Sequence, residues 1–245
     1  MCGRYTITAP LEAIRDVFEV AERPNLAPRY NVAPSQSVPI VRRPPRERRS
    51  GDGDSGSGDP GDGESARRRE LVTVTWGLIP FWAKDATIAN KLINARGESV
   101  ADKPAFRDSF AKRRCLVVAD GFYEWKKVEG GKQPYRIRLA SGAPFGFAGL
   151  WSDWTSPEGE RRETCTIVTT RANALVAPIH DRMPVILDPA DFDAWLDGER
   201  EAATALIRPH DPSAMEAYPV DRRVGNVRND DEGLVAPLAE QGSLF

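Results

Sequence analysis

Histidine, methionine and cysteine are scarce in this chain: two, three and three residues among 245. The cysteines, Cys2, Cys115 and Cys165, are odd in number and far apart, which excludes a disulfide framework and a zinc-ligand spacing. No cofactor or metal is expected, so any chemistry falls to the chain's own side chains. No apolar run approaches the ~20 residues that a membrane span needs, and no membrane partner is expected. No signal-peptide pattern opens the chain, because Arg4 and a strand-like stretch follow Met1 at once. A reducing, cytoplasmic setting fits the free thiols. A large charge of one sign is missing too. The net charge is −2, so a nucleic-acid site would have to be a local basic patch and not a global field. No internal repeat is found.

What is present is the composition of a globular protein, 40% hydrophobic and 29% charged, in a chain long enough to bury a substantial core. Cys2 to Thr8 reads as a strand, and Thr8 can cap a helix with Pro10 in its first turn and Leu11, Ile14, Val17 and Phe18 on one face. Ser37 to Val41 and Glu70 to Trp76 read as strands. Between them lies a polar stretch rich in Gly, Asp, Ser and Arg, which has too little apolar surface to offset its ordering entropy. It is expected to be a disordered insertion at 43–69 within one domain spanning 1–236, followed by a flexible tail at 237–245. Ile93 to Lys112 is expected to lead into a helix with Phe106 and Phe110 inward. From Arg114 onward short strands follow one another as an antiparallel meander, broken at Gly121, Gly130-Gly131, Gly142 and Gly159. Asp188-Pro189 starts a helix carrying Phe192, Trp195 and Leu196, and a shorter one follows. The fold class is α+β, predominantly antiparallel β as a barrel-like, curved meander sheet, with several flanking helices.

Cys2 carries the most distinctive chemistry. A methionine aminopeptidase removes Met1 when the next side chain is small. Cys2 would then bear an α-amine and a thiol on adjacent carbons, both with ordinary pKa values of roughly 8 to 8.5. An aldehyde can form an imine with the amine, and the sulfur can close a five-membered thiazolidine. The alternative is a small apolar residue at a strand start. Glu124, within Asp120-Gly121-Phe122-Tyr123-Glu124-Trp125, either lies exposed on the outer sheet face or points inward, where burial would raise its pKa as general acid–base work requires. His180, in Ile179-His180-Asp181-Arg182, sits beside an ionisable pair that could orient it. His210 reads as surface loop. Asn94-Ala95-Arg96 offers either a helix entry with Asn94 as cap, or an amide that orients a substrate beside a guanidinium that grips phosphate. Of the aromatics Trp76, Phe81 and Trp82, one on a loop could stack on a base. The basic loop Asp221 to Asn229 could contact backbone phosphate.

These elements together resemble the SRAP family (SOS-response-associated peptidase). The resemblance runs through Met1-Cys2-Gly3-Arg4-Tyr5, Tyr30-Asn31-Val32-Ala33-Pro34, Trp76-Gly77, Ile93-Asn94-Ala95-Arg96 and Ala119 to Trp125. It continues through Ile167 to Thr170, Ile179 to Pro184 and Val224-Gly225-Asn226-Val227, in family order over most of the chain. The departures are the insertion and the tail beyond about Pro237.

The resemblance implies an SRAP fold and a Cys2 that crosslinks, as a thiazolidine, to the aldehyde of an abasic site in single-stranded DNA. It implies catalytic roles for Cys2, Asn94, Glu124 and His180. Arg4, Arg96 and Arg182 would hold phosphates, and Trp76 with Pro34 would wedge beside the lesion. The expected setting is the nucleoid. Two alternatives stay open: an N-terminal-nucleophile cysteine peptidase acting on its own leader, and a non-covalent single-stranded DNA binding module. The end of the chain, Gln241-Gly242-Ser243-Leu244-Phe245, is similar to short peptides that dock on replication sliding clamps, with Gln241, Leu244 and Phe245 as anchors.

Overall fold

Backbone pairing runs without a break from β3 (Ser37–Arg42) to β4 (Glu70–Trp76), β10 (Arg161–Arg171), β9 (Phe145–Thr155), β6 (Arg114–Ala119) and back to β3, closing a five-stranded barrel. Every seam is antiparallel except β4–β10, where Cys165 registers with Trp76. The computed structural model of the chain describes residues 2–45 and 68–238. β6 reads Arg-Cys-Leu-Val-Val-Ala and is buried along its whole length, as a strand enclosed on both faces must be. A second sheet orders β13 (Met215–Pro219), β8 (Gly131–Leu139), β7 (Gly121–Val128), β1 (Tyr5–Ile7) and β2 (Arg29–Val32), all antiparallel. The expected α+β class with a barrel of antiparallel strands is what the chain adopts.

The expected single meander is in fact two hairpins in different sheets. β7–β8 belongs to the second sheet and β9–β10 to the barrel. The chain crosses between the sheets at Asp120, and this residue explains why. Its buried carboxylate accepts from the Thr6 hydroxyl, the Thr8 backbone N–H, the Thr8 hydroxyl at 2.8 Å and the Ala9 N–H at 2.6 Å, with Arg136 3.3 Å away. Thr8 is thereby drawn to Asp120 and does not cap the helix α1 (Leu11–Phe18), whose first turn has no side-chain cap. Gly121 must be glycine here: a Cβ would lie 2.9 Å from both Arg136 Nε and Thr6 Oγ1.

The segment after Ile93 also departs from expectation. Asn94 enters no helix; it opens a short strand, β5 (Asn94–Arg96), parallel to β10 with Asn94 opposite Ile167. Ile167 N–H donates to the Ile93 carbonyl, so the open edge of β10 claims this backbone before a helix can. The helix α2 is confined to Arg107–Lys112 and buries Phe110. Two short strands, β11 (Arg182–Pro184) and β12 (Ile186–Leu187), extend the barrel sheet. The helices α3 (Phe192–Asp197) and α4 (Arg200–Ala205) follow, with Trp195 fully buried.

Residues 46–67 of the insertion lie outside the described residues, as do 239–245, including Gln241, Leu244 and Phe245. The ends of the insertion are anchored. Asp193 on α3 accepts from Arg43 at 2.8 Å and from Arg69 at 2.7 Å, so one carboxylate fastens both stems. Arg69, 8% exposed, also donates to the Phe18 carbonyl.

Candidate active site

Pairing of β1 with β7 and of β5 with β10 brings the start of the chain against β5. Arg4 carbonyl accepts from Tyr123 N–H, which fixes β1 against β7 one residue from Glu124. Cys2 is fully buried, and its thiol lies 3.7 Å from the Arg4 carbonyl. The Asn94 side-chain amide donates to the Cys2 carbonyl at 2.8 Å. Among the described residues Asn94 Oδ1 is buried without a hydrogen-bond partner, which leaves an acceptor beside Cys2.

The period of two along β7 decides the orientation of Glu124. Phe122 faces the barrel, packing edge-on against Phe147 at 6.0 Å, while Tyr123 joins a separate cluster with Val224 and Leu234 on the opposite face. Glu124 therefore points inward with Phe122 and is only 2% exposed. Burial pushes its carboxyl up to about 7. The charge of Glu124 reaches Cys2. Burial drives the Cys2 thiol well above its ordinary range, and the Glu124 carboxylate drives it further. The thiol is thus protonated at neutral pH.

His180 is half-buried in the loop before β11. Its Nδ1 accepts from the Arg182 N–H at 3.0 Å and lies 2.9 Å from Asp181 Oδ1. Partial burial lowers its pKa and Asp181 opposes that shift. The Asp181 charge also raises the Glu124 carboxyl. Asn94 is thus bonded to Cys2, whose thiol feels the charge of Glu124, and Glu124 in turn feels that of Asp181.

Two of the basic candidates, Arg96 and Arg182, act on Glu98. Arg182 grips Glu98 through both carboxylate oxygens at 2.8 and 2.9 Å, and donates to the Thr169 carbonyl at 2.7 Å. Arg96 is exposed at the end of β5, and it joins Arg182 in holding the Glu98 carboxyl below its ordinary range. Arg4 donates to Asn31 Oδ1 at 3.2 Å and to the Val224 carbonyl at 2.9 Å. Pro34 is half-buried in the turn after β2. Trp76 is not where a wedge would be. It is 1% exposed, its ring packs 5.2 Å from Tyr5, and its indole N–H is spent on the Ile93 carbonyl at 2.8 Å. It is a core residue that seats β5 against the barrel. The exposed rings of the segment are Phe81 and Trp82, 56% and 49% exposed. Among the described residues no group of His, Cys, Asp or Glu side chains is arranged to hold a metal, and no helix is long and apolar enough to cross a membrane.

Asn31 is the residue that sequence reasoning passed over. It is 1% exposed and donates to three backbone carbonyls of the 221–231 loop, those of Val224, Asn226 and Asn229. Its place before the apolar Val32-Ala33 was the available signal, since an amide carried into the interior with its apolar neighbours needs partners.

The sequence model of the SOS response associated peptidase (SRAP) family matches residues 1–227. Abasic site processing protein YoqW of Bacillus subtilis (strain 168) is 38% identical over 242 residues, covering 96% of this chain and 99% of that protein. Abasic site processing protein HMCES of Gallus gallus is 32% identical over 238 residues, covering 86% of this chain and 66% of that protein. A protein of Bacteroides thetaiotaomicron solved by X-ray crystallography superimposes with a TM-score of 0.81 at 25% identity, over 97% of this chain and the whole of that one.

Proposed function

The chain belongs to the SOS response associated peptidase (SRAP) family, and from that premise we propose that it captures abasic sites in single-stranded DNA by a covalent bond through Cys2. With Met1 removed, the Cys2 amine adds to the C1′ aldehyde of the ring-opened deoxyribose. The carbinolamine loses water to give an imine. The Cys2 sulfur then adds to the imine carbon, a C–S bond forms, and the thiol proton ends on nitrogen. The product is a thiazolidine. Reversal by the same steps would make the capture self-releasing.

Each step needs a group that gives and takes a proton near neutrality. Glu124, with its carboxyl raised to about 7, suits that work. As an acid it protonates the departing hydroxyl; as a base it takes the proton of the otherwise un-ionised thiol. Asn94 holds the Cys2 carbonyl and keeps Oδ1 as an acceptor for the amine or a sugar hydroxyl. His180, neutral, would move protons on the opened sugar. Arg4, Arg96 and Arg182 would bind the flanking phosphates beside Pro34, and Trp82 and Phe81 are the rings available to stack on bases.

The observation that carries this reading is the 2.8 Å bond from Asn94 to Cys2, whose thiol feels the charge of the buried Glu124. A peptidase reading fits less well. A cysteine nucleophile needs a lowered thiol pKa, and burial here raises it. The deciding experiment mixes the mature chain with a single-stranded oligonucleotide carrying one abasic site. A heat-stable adduct on a denaturing gel, with the intact mass of protein plus DNA less water, is expected. No adduct, with ordinary affinity for intact single strands, would establish a binding module instead.

Two finer points belong to the same proposal. The site of action is DNA in the cytoplasm, at the nucleoid. The tail, through Gln241, Leu244 and Phe245, docks on a replication sliding clamp. Deleting the last five residues should then abolish clamp binding, and an intact chain that binds no clamp removes this part alone.

A further inference from the structure

The loop between Asp221 and Asp231 is wrapped around one buried side chain. Asn31 Nδ2 donates to the carbonyls of Asn229, Asn226 and Val224 at 2.8, 3.0 and 3.1 Å. The Arg4 guanidinium shares the Val224 carbonyl at 2.9 Å and also reaches Asn31 Oδ1. The backbone N–H groups of Tyr30 and Asn31 donate to Asp230 Oδ1 at 2.6 and 3.0 Å. Val224 is fully buried against Tyr123 and Leu234. The loop is thus fastened from both of its ends to β2 and, through Arg4, to the segment before β1 that carries Cys2.

This fastening sorts the charges of the loop. The sequence from Asp221 to Asp231 holds three arginines and three aspartates, so it has no net charge. The acids are all consumed. Asp230 is spent on backbone N–H groups, while Asp221 and Asp231 grip Arg223 at 2.9 and 3.0 Å. Arg222 and Arg228 are exposed, with the 46%-exposed Val227 beside Arg228. The carbonyls, which would repel an anion, are turned in toward Asn31. The exposed Arg223 is paired with Asp221 and Asp231, so among the described residues Arg222 and Arg228 are the guanidiniums of the loop that no carboxylate holds, and with Val227 between them they complement a phosphodiester backbone.

We propose that Arg222 and Arg228 form a second phosphate-binding subsite for the DNA strand that carries the abasic site, and that Asn31 is the positioning residue that holds this subsite in register with Arg4 and Cys2. The inference rests on the abasic-site reading above. The strand attached at Cys2 passes Arg4 and continues over the loop, and its phosphates are gripped irrespective of base sequence.

The test is the salt dependence of binding to an intact single-stranded oligonucleotide about 20 nucleotides long. Each phosphate contact contributes about 0.7 to the slope of log affinity against log salt. Arg222→Gln and Arg228→Gln are each expected to flatten that slope by about 0.7, and the double variant by about 1.4, with affinity near physiological salt falling roughly tenfold. Lys112→Gln, an exposed charge on α2, which packs against β6 and β9 of the barrel, is the control and should leave the slope as it is. Asn31→Ser should flatten the slope like the double variant and raise the half-saturating DNA concentration for crosslinking far more than it lowers the maximal rate. The arginine variants alter only exposed side chains, so their result stands even if Asn31→Ser fails to fold. A wild-type chain that crosslinks, with a slope unchanged in the double variant, overturns this subsite alone. A wild-type chain that neither binds nor crosslinks overturns it together with the proposed function.

Discussion

The side-chain amide of Asn94 meets the Cys2 carbonyl at 2.8 Å across a sequence separation of 92 residues. β5 holds Asn94 in place through its pairing with β10, so the first residues of the chain are positioned by the barrel wall. Asn94→Ala removes the bond and should lower unfolding stability by about 1 kcal/mol in urea titration. Asn94→Asp sets a carboxylate against a carbonyl and should cost more. In both, the single-turnover rate of adduct formation should fall by more than tenfold; rates within twofold of wild type would mean that Asn94 does not position Cys2.

Glu124 gives a pH signature with a definite sign. The unfolded chain loses this proton near 4.5, whereas the buried carboxyl in the folded chain keeps it to about 7. Between those values the folded state binds more protons, so stability falls as pH rises. The contribution is full below about 4.5 and gone above about 7, a span of about 3 kcal/mol. Glu124→Gln should abolish this slope, so that variant and wild type diverge with rising pH in urea unfolding, the variant being the more stable at pH 8. The same substitution should slow crosslinking by about 10²- to 10⁴-fold. Parallel stability profiles would show that the carboxyl titrates normally.

How much of this was legible beforehand depended on whether a residue's partners lie nearby in the sequence. The alternation along β7 was plain, but whether Glu124 or Tyr123 faced inward was fixed only when Tyr123 found Tyr30 and Leu234, distant in sequence. Cys2, Asn94, Glu124 and His180 could be singled out by residue type and family resemblance. The contact of Asn94 with Cys2 could not, because it depends on β5 pairing with β10 in the barrel. Asn94 was ambiguous for the same reason: a cap and an edge-strand residue look alike until β10 supplies its edge. Trp76 reads in the sequence as a strand end and, from the family resemblance, as a wedge beside the lesion; the packing against Tyr5 makes it core. The ends of the insertion looked solvated because Asp193, which holds Arg43 and Arg69, lies over 120 positions further on.

Trp76 and Trp82 should respond oppositely to truncation. Trp76→Ala empties a buried site and is expected to cost about 3–5 kcal/mol of stability, shifting the thermal midpoint downward. Trp82→Ala removes a ring that is 49% exposed and should change stability by less than about 0.5 kcal/mol. Its effect should appear in single-strand affinity, which is expected to fall by about 1–3 kcal/mol if one base stacks there. Equal affinities in Trp82→Ala and wild type would remove the stacking role.

His180 should be neutral at pH 7 with its proton on Nε2, because Nδ1 accepts the Arg182 N–H at 3.0 Å and partial burial lowers the imidazole's pKa. Nitrogen chemical shifts of labelled histidine should report that tautomer, with protonation beginning only below the usual imidazole range. A spectrum showing the proton on Nδ1 would mean that the ring donates to Asp181 instead, and proton delivery from Nε2 would then be lost.

Separating the amine of Cys2 from its thiol tests the order of bond formation. Alanine is small enough for Met1 to be removed, so Cys2→Ala keeps an α-amine at the same place and loses only the sulfur. The imine can still form, but nothing closes the ring. The heat-stable adduct should vanish, while borohydride treatment during the reaction should trap a reduced imine of the corresponding mass. A chain that retains Met1 has its Cys2 nitrogen in a peptide bond and should give no Cys2-linked adduct under either condition. These outcomes are distinct because the thiol, un-ionised in its buried position, is a poor first nucleophile at neutral pH. If Cys2→Ala yielded neither product while remaining folded, the sulfur would have to act before the amine, and Glu124 would have to deprotonate it at the outset.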